Sequence, residues 1–115
     1  MAEHLDDTLA ALEARVMAAI DIESIPGAVG ADLLACERSL LNAWLTAFWL
    51  CWDTQTALQL EHFVRSSTML LERLLELLEV QIALGDRAAV RRVMSSIEHE
   101  SVQLLAQIAT LHAIA

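Results

Sequence analysis

Apolar residues recur at helical spacing along nearly the whole chain. In the first part, a 4-3-4-4 spacing aligns one apolar stripe on a helix, formed by Leu5, Leu9, Leu12, Val16 and Ile20. The strongest turn signal follows at residues 24–27, which read Ser-Ile-Pro-Gly. The pattern predicts a first helix over residues 3–22, and Asp32 is the expected N-cap of the next helix.

Residues 32–84 contain neither proline nor glycine. They predict either one helix of about 80 Å or two helices with a bend near residues 53–56, where polar side chains compete for backbone hydrogen bonds. Gly85 suits the left-handed position that ends a helix, and Asp86 suits the N-cap of the next one. A last helix over residues 87–113 is therefore expected to fold back antiparallel on its predecessor.

These helices predict an all-α protein with a single helical domain over residues 1–115. If the central helix is continuous, two thin antiparallel hairpins share one spine in an extended bundle, and a homodimer or homotetramer completes the core. If the helix bends, the same pieces form a compact four-helix bundle. The residues predicted to hold the last hairpin, or an oligomer seam, are Leu70, Leu74, Leu78, Val90, Ile97, Leu104 and Ile108.

An aromatic strip lies in the middle of the chain, consisting of Trp44, Phe48, Trp49 and Trp52. Large aromatic side chains commonly anchor a core or a subunit interface. The other interpretation is a surface that contacts a partner or adsorbs to an apolar body, as amphipathic helices do. The pattern leaves both interpretations open.

Composition and charge limit the classes of molecule that the protein is expected to bind. Apolar residues make up 57% of the chain, above the usual range of about 45–50%, so surplus apolar surface is expected to bind a partner. The net charge is −9 and no lysine is present, which disfavours nucleic acid and anionic membranes. The apolar run over residues 40–52 is too short to span a bilayer. No signal peptide is recognisable, so a cytoplasmic location is expected.

No pattern of catalytic, cofactor-binding or metal-binding residues is evident. His62 and His99 each follow a glutamate directly, whereas two-metal bundles use Glu-x-x-His pairs that share one helical face. Cys36 and Cys51 would stand about 22 Å apart on one helix, and both are predicted to be small buried groups rather than a disulfide. The sequence therefore predicts neither an enzyme nor a cofactor or metal site.

Residues 40–112 resemble the phasins, a family that coats cytoplasmic polyhydroxyalkanoate storage granules. The resemblance lies in the tryptophan-rich entry, the leucine-rich run over residues 69–84, the Gly85-Asp86 joint, and the closing Arg-Ala-Ala-Val-Arg-Arg helix with Gln103 and Gln107. It implies a non-enzymatic, self-associating protein on a neutral hydrophobic granule surface. The alternative is a small acidic helical chaperone or adaptor that binds a helix of a partner protein.

Overall fold

The computed structural model describes residues 3–49 and 54–114. Over these residues the chain forms four helices and no strand: α1 (Glu3–Asp21), α2 (Gly27–Trp49), α3 (Thr54–Leu84) and α4 (Arg87–Ile114). The predicted all-α class is confirmed. The predicted first and last helices match α1 and α4 to within about one residue at each end.

The chain between α1 and α2 reverses through a Schellman motif. The backbone N–H of Glu23 donates to the carbonyl of Ile20 at 3.0 Å, and the N–H of Ser24 donates to the carbonyl of Ala19 at 2.9 Å. Glu23 occupies the left-handed position of the motif with φ 58°, where glycine is the usual residue. The buried side chain of Ile25 then anchors the loop to the core.

α2 begins at Gly27, so the predicted N-cap at Asp32 is wrong. The N–H of Gly30 donates to the carbonyl of Pro26 at 3.0 Å, which closes the first turn well before Asp32. Proline suits a helix start because its φ is already helical and its missing N–H would be unpaired there. Gly30 has a packing reason to be glycine, since a Cβ atom at this position would collide with the side chain of Ile20 on α1.

α2 and α3 pack against each other and are separate helices. The longest dimension of the molecule is 48 Å, whereas one straight helix over residues 32–84 would measure about 80 Å. The compact four-helix alternative therefore describes the chain, and the continuous spine is excluded. The bend was expected at residues 53–56. Residue 53 lies outside the described residues, and residues 54–56 form the start of α3.

α2 and α3 occupy the middle of the bundle. Each of them contacts the other and both outer helices, whereas within the described residues no Cα atom of α1 lies within 8 Å of one in α4.

The predicted joint between α3 and α4 is confirmed, since Gly85 has φ 73° and the Asp86 carboxylate accepts from the N–H of Ala89 at 3.0 Å. This short joint makes α3 and α4 an antiparallel hairpin.

The core is formed by one apolar stripe from each helix. Five of the seven predicted seam residues are buried, namely Leu74, Leu78, Ile97, Leu104 and Ile108, and Val90 is partly buried against them. Leu70 is 38% exposed, so it lies outside the core of this bundle, and its predicted place in an oligomer seam stays a prediction. It points about 100° away from Leu71, which lies on the buried face of α3.

Candidate functional site

Trp44, the first residue of the aromatic strip, is buried. This side chain is only 5% exposed and belongs to the hydrophobic core, because α2 is packed against all three other helices. Trp44 is therefore a core residue in this fold rather than a contact on the surface. The side chains of Phe48 and Trp49, and the whole of Trp52, lie outside the described residues.

The main exposed apolar feature is one face of α3, which we call the outer α3 face. It comprises Met69, Leu70, Leu77, Val80 and Leu84, each 38–71% exposed. Leu70, Arg73, Leu77, Val80 and Leu84 follow a 3-4-3-4 spacing, which places them in one row along the helix. The buried leucines lie on the adjacent face of α3. α3 is thus apolar on two sides, one within the bundle and one facing outward.

Ion pairs lie beside this face and leave its apolar row uncovered. Arg15 of α1 reaches Glu76 at 3.3 Å and Glu79 at 3.7 Å, so these two carboxylates are directed toward α1. Such exposed pairs contribute about 0.2–1 kcal/mol each. A further ion pair joins Glu61 and Arg65 of α3, one turn apart, with its atoms 2.9 Å from each other.

Buried polar groups lie on α2 and α4. The side chain of Glu37 is fully buried, and neither of its carboxyl oxygens has a hydrogen-bond partner. The Oγ atom of Ser101 is likewise buried and unpaired. The Cys36 thiol, buried as predicted, lies 4.0 Å from the carbonyl oxygen of Ser101; Cys51 is outside the described residues.

Burial shifts the pKa of two neighbouring residues of α2, Glu37 and Cys36. Burial raises the pKa of Glu37 to about 7, and the negative charge of the nearby Glu13 adds to the rise, while the positive charge of Arg38 opposes it. Burial also raises the pKa of the Cys36 thiol; the contact with Ser101 opposes this, and the charge of Asp32 adds to it. The Glu37 carboxyl therefore titrates near neutrality inside the bundle.

The sequence analysis did not identify Glu37 as buried, because a glutamate is expected at the surface. A usable signal was present: Leu33, Glu37, Leu40 and Trp44 follow a 4-3-4 spacing, which places the glutamate on the buried stripe. A carboxylate in the interior is unfavourable without a partner, so composition alone would not place it there.

One end of the bundle carries two adjoining apolar clefts. The larger measures about 600 Å³ and lies between the α1–α2 loop and the ends of α3 and α4. The smaller measures about 350 Å³ and is bordered by two arginines at the start of α4. Ile82 and Val90 line both clefts, so the two form one continuous depression, which we call the end cleft.

The described residues offer few other sites. Over residues 3–49 and 54–114, His, Cys, Asp and Glu side chains form no group of three or more that could hold a metal ion. No helix in the same ranges combines the length and apolar character needed to cross a bilayer. The candidate interaction sites are therefore the outer α3 face and the end cleft.

Comparison of the chain with models of known protein families, with curated proteins and with solved structures finds no match.

Proposed function

We propose that the protein is a non-enzymatic, self-associating helical protein that coats a neutral hydrophobic surface, as a phasin does on a storage granule in the cytoplasm. The observation that supports this proposal is the outer α3 face. It presents five large apolar side chains to solvent on a single helix, in a bundle whose interior is already closed by other residues.

The driving force is the removal of this apolar row from water, worth roughly 25 cal/mol for each Å² buried. Contiguous apolar patches on a soluble chain mark interaction sites. The net charge of −9 repels anionic surfaces, so a neutral polyester is the favoured surface. In solution, the same row packs against the outer α3 face of a second copy, and on a granule it lies on the polymer.

Adsorption to neutral polyester particles tests this function. We expect the double substitution Leu77→Gln and Val80→Gln, called the α3 variant, to weaken adsorption at least about tenfold, because it places two polar amides in the apolar row. Both residues are exposed, so the free energy of unfolding should change by only about 0.5 kcal/mol per substitution. Sedimentation with the particles, followed by assay of free protein, measures the isotherm.

The matched control is Val102→Gln with Leu105→Gln on α4, called the α4 control. These residues have the same spacing of three and are also exposed, but they lie on another helix. The α4 control should adsorb like the wild type. Equal weakening by the two variants would show that general surface hydrophobicity, rather than the outer α3 face, drives adsorption.

A helical adaptor is the second candidate function. The 3-4-3-4 row on α3 has the spacing that a partner helix recognises when it packs in a coiled coil or groove. In that case the α3 variant would lose a protein partner while the wild type would show no saturable adsorption to polyester. The same two variants therefore separate a coat protein from an adaptor.

A further inference from the structure

The end cleft combines apolar walls with two cationic side chains. Its larger part is lined by residues of three segments, among them Ile20, Ile25 and Pro26. Its smaller part is lined by Gly85, Arg87 and Arg91, and Ile82 and Val90 continue through both. A volume of about 600 Å³ for the larger part is within the range of small-molecule sites, about 300–1,000 Å³.

The two arginines of the cleft have no ion-pair partner among the described residues. Arg15, Arg38 and Arg65 each pair with a glutamate. Arg87 and Arg91 form no ion pair within the described residues, although the chain has sixteen acidic residues. They also lie in the first turns of α4, where the helix dipole disfavours cations. The Asp86 carboxylate of this helix end accepts from the N–H of Ala89 and lines neither part of the cleft. The charge of this rim is therefore complementary to an anionic group.

The distribution of charge within the cleft orients a ligand. Arg87 and Arg91 border only the smaller part, and Glu23 borders only the larger part. A negatively charged head group is thus attracted to the α4 end and repelled from the loop end. The surface between these ends is apolar, formed by Ile82 and Val90 and continued by Ile20 and Ile25.

We propose that the end cleft binds an anionic amphiphile with an unbranched hydrocarbon chain, of the fatty carboxylate class. The carboxylate lies between Arg87 and Arg91, and the hydrocarbon chain runs over Ile82 and Val90 toward Ile20 and Ile25. Guanidinium groups hold carboxylates through charge-assisted hydrogen bonds. This site does not depend on the outer α3 face, so either proposal can fail without the other.

Calorimetric titration with decanoate, below the concentration at which it forms micelles, tests the site. We expect saturable binding of one molecule per chain, and at least about tenfold weaker binding of 1-decanol, which has the same chain without the charge. The double variant Arg87→Ala with Arg91→Ala should weaken decanoate binding by at least about tenfold. Both side chains are exposed, so the variant should stay folded, which circular dichroism checks.

Arg92→Ala is the matched control, since Arg92 is the next residue on α4, is exposed and lines neither part of the cleft. It should bind decanoate like the wild type. The proposal is overturned by an equal loss in Arg92→Ala, by equal affinity for decanoate and 1-decanol, or by an absence of saturable binding. It is also overturned if the arginine pair instead controls association between copies of the chain, seen as a lower sedimentation coefficient of the double variant without any ligand.

Discussion

At the scale of single residues, Glu37 stands out because a fully buried carboxyl has no hydrogen-bond partner for either oxygen. Burial and the neighbouring Glu13 raise its pKa to about 7, against an ordinary value of 4.5 for a glutamate. The native state therefore retains a proton that the unfolded chain releases between these two pH values. An ionised Glu37 destabilises the fold, and a neutral one is tolerated.

The sign of the pH dependence follows from this difference. The contribution of Glu37 to stability is most favourable below about pH 4.5, declines as the pH rises toward 7, and is constant above that. The decline amounts to roughly 3 kcal/mol if the whole shift is realised. We expect Glu37→Gln to be more stable than the wild type by up to this amount at pH 8, and the gain to be much smaller at pH 5.

Urea unfolding of both proteins at pH 5 and pH 8 measures this gain. Glu98→Gln is the control, because Glu98 is an exposed glutamate on α4 and its substitution should have nearly the same small effect at both pH values. A Glu37→Gln effect that is identical at pH 5 and pH 8 would show that the carboxyl ionises normally in the folded protein.

At the scale of one element, α3 has two apolar faces with different roles. The inner face packs in the core through Leu71, Leu74, Leu75 and Leu78. The outer face has the same residue types in a similar spacing, yet it faces solvent. Helical periodicity alone indicates that both stripes exist, and only the positions of α1, α2 and α4 decide which stripe is buried.

The neighbouring leucines Leu70 and Leu74 separate these roles experimentally. Leu74 is buried, so Leu74→Ala should lower the free energy of unfolding by about 2–5 kcal/mol through lost burial and the cavity left behind. Leu70 is exposed, and Leu70→Ala should cost well under 1 kcal/mol in the isolated chain. Chemical denaturation of the two variants gives the comparison. Similar losses for both would mean that the buried face of α3 is assigned incorrectly.

The sequence could predict those features of the elements that depend on local chemistry. The stripe of α1 and the Gly85-Asp86 joint follow from helical spacing and cap preferences, and the structure has both. The start of α2 at Gly27 was missed because Asp32 is a good cap in isolation, whereas Pro26 closes the first turn earlier. The exposure of Leu70 and the burial of Glu37 depend on which helices are neighbours, and one chain's periodicity does not contain that information.

At the scale of the whole molecule, the bundle measures 48 × 23 × 18 Å, with α2 and α3 between the two outer helices. Its interior is closed within one chain by residues of all four helices. Oligomerisation was predicted to complete the core. In our proposal the copies instead associate through the outer α3 face, and the core of each chain is already closed. Trp44 is interior in this arrangement, so in our proposal the outer α3 face makes the contact instead of Trp44.

The central claim is that the outer α3 face makes the contacts between molecules, and sedimentation velocity over a series of protein concentrations tests it without any added surface. We expect the wild type and the α4 control to associate as concentration rises, whereas the α3 variant should remain monomeric with an unchanged circular dichroism spectrum. A wild type that stays monomeric throughout, or an α3 variant that associates as strongly as the wild type, would contradict the claim.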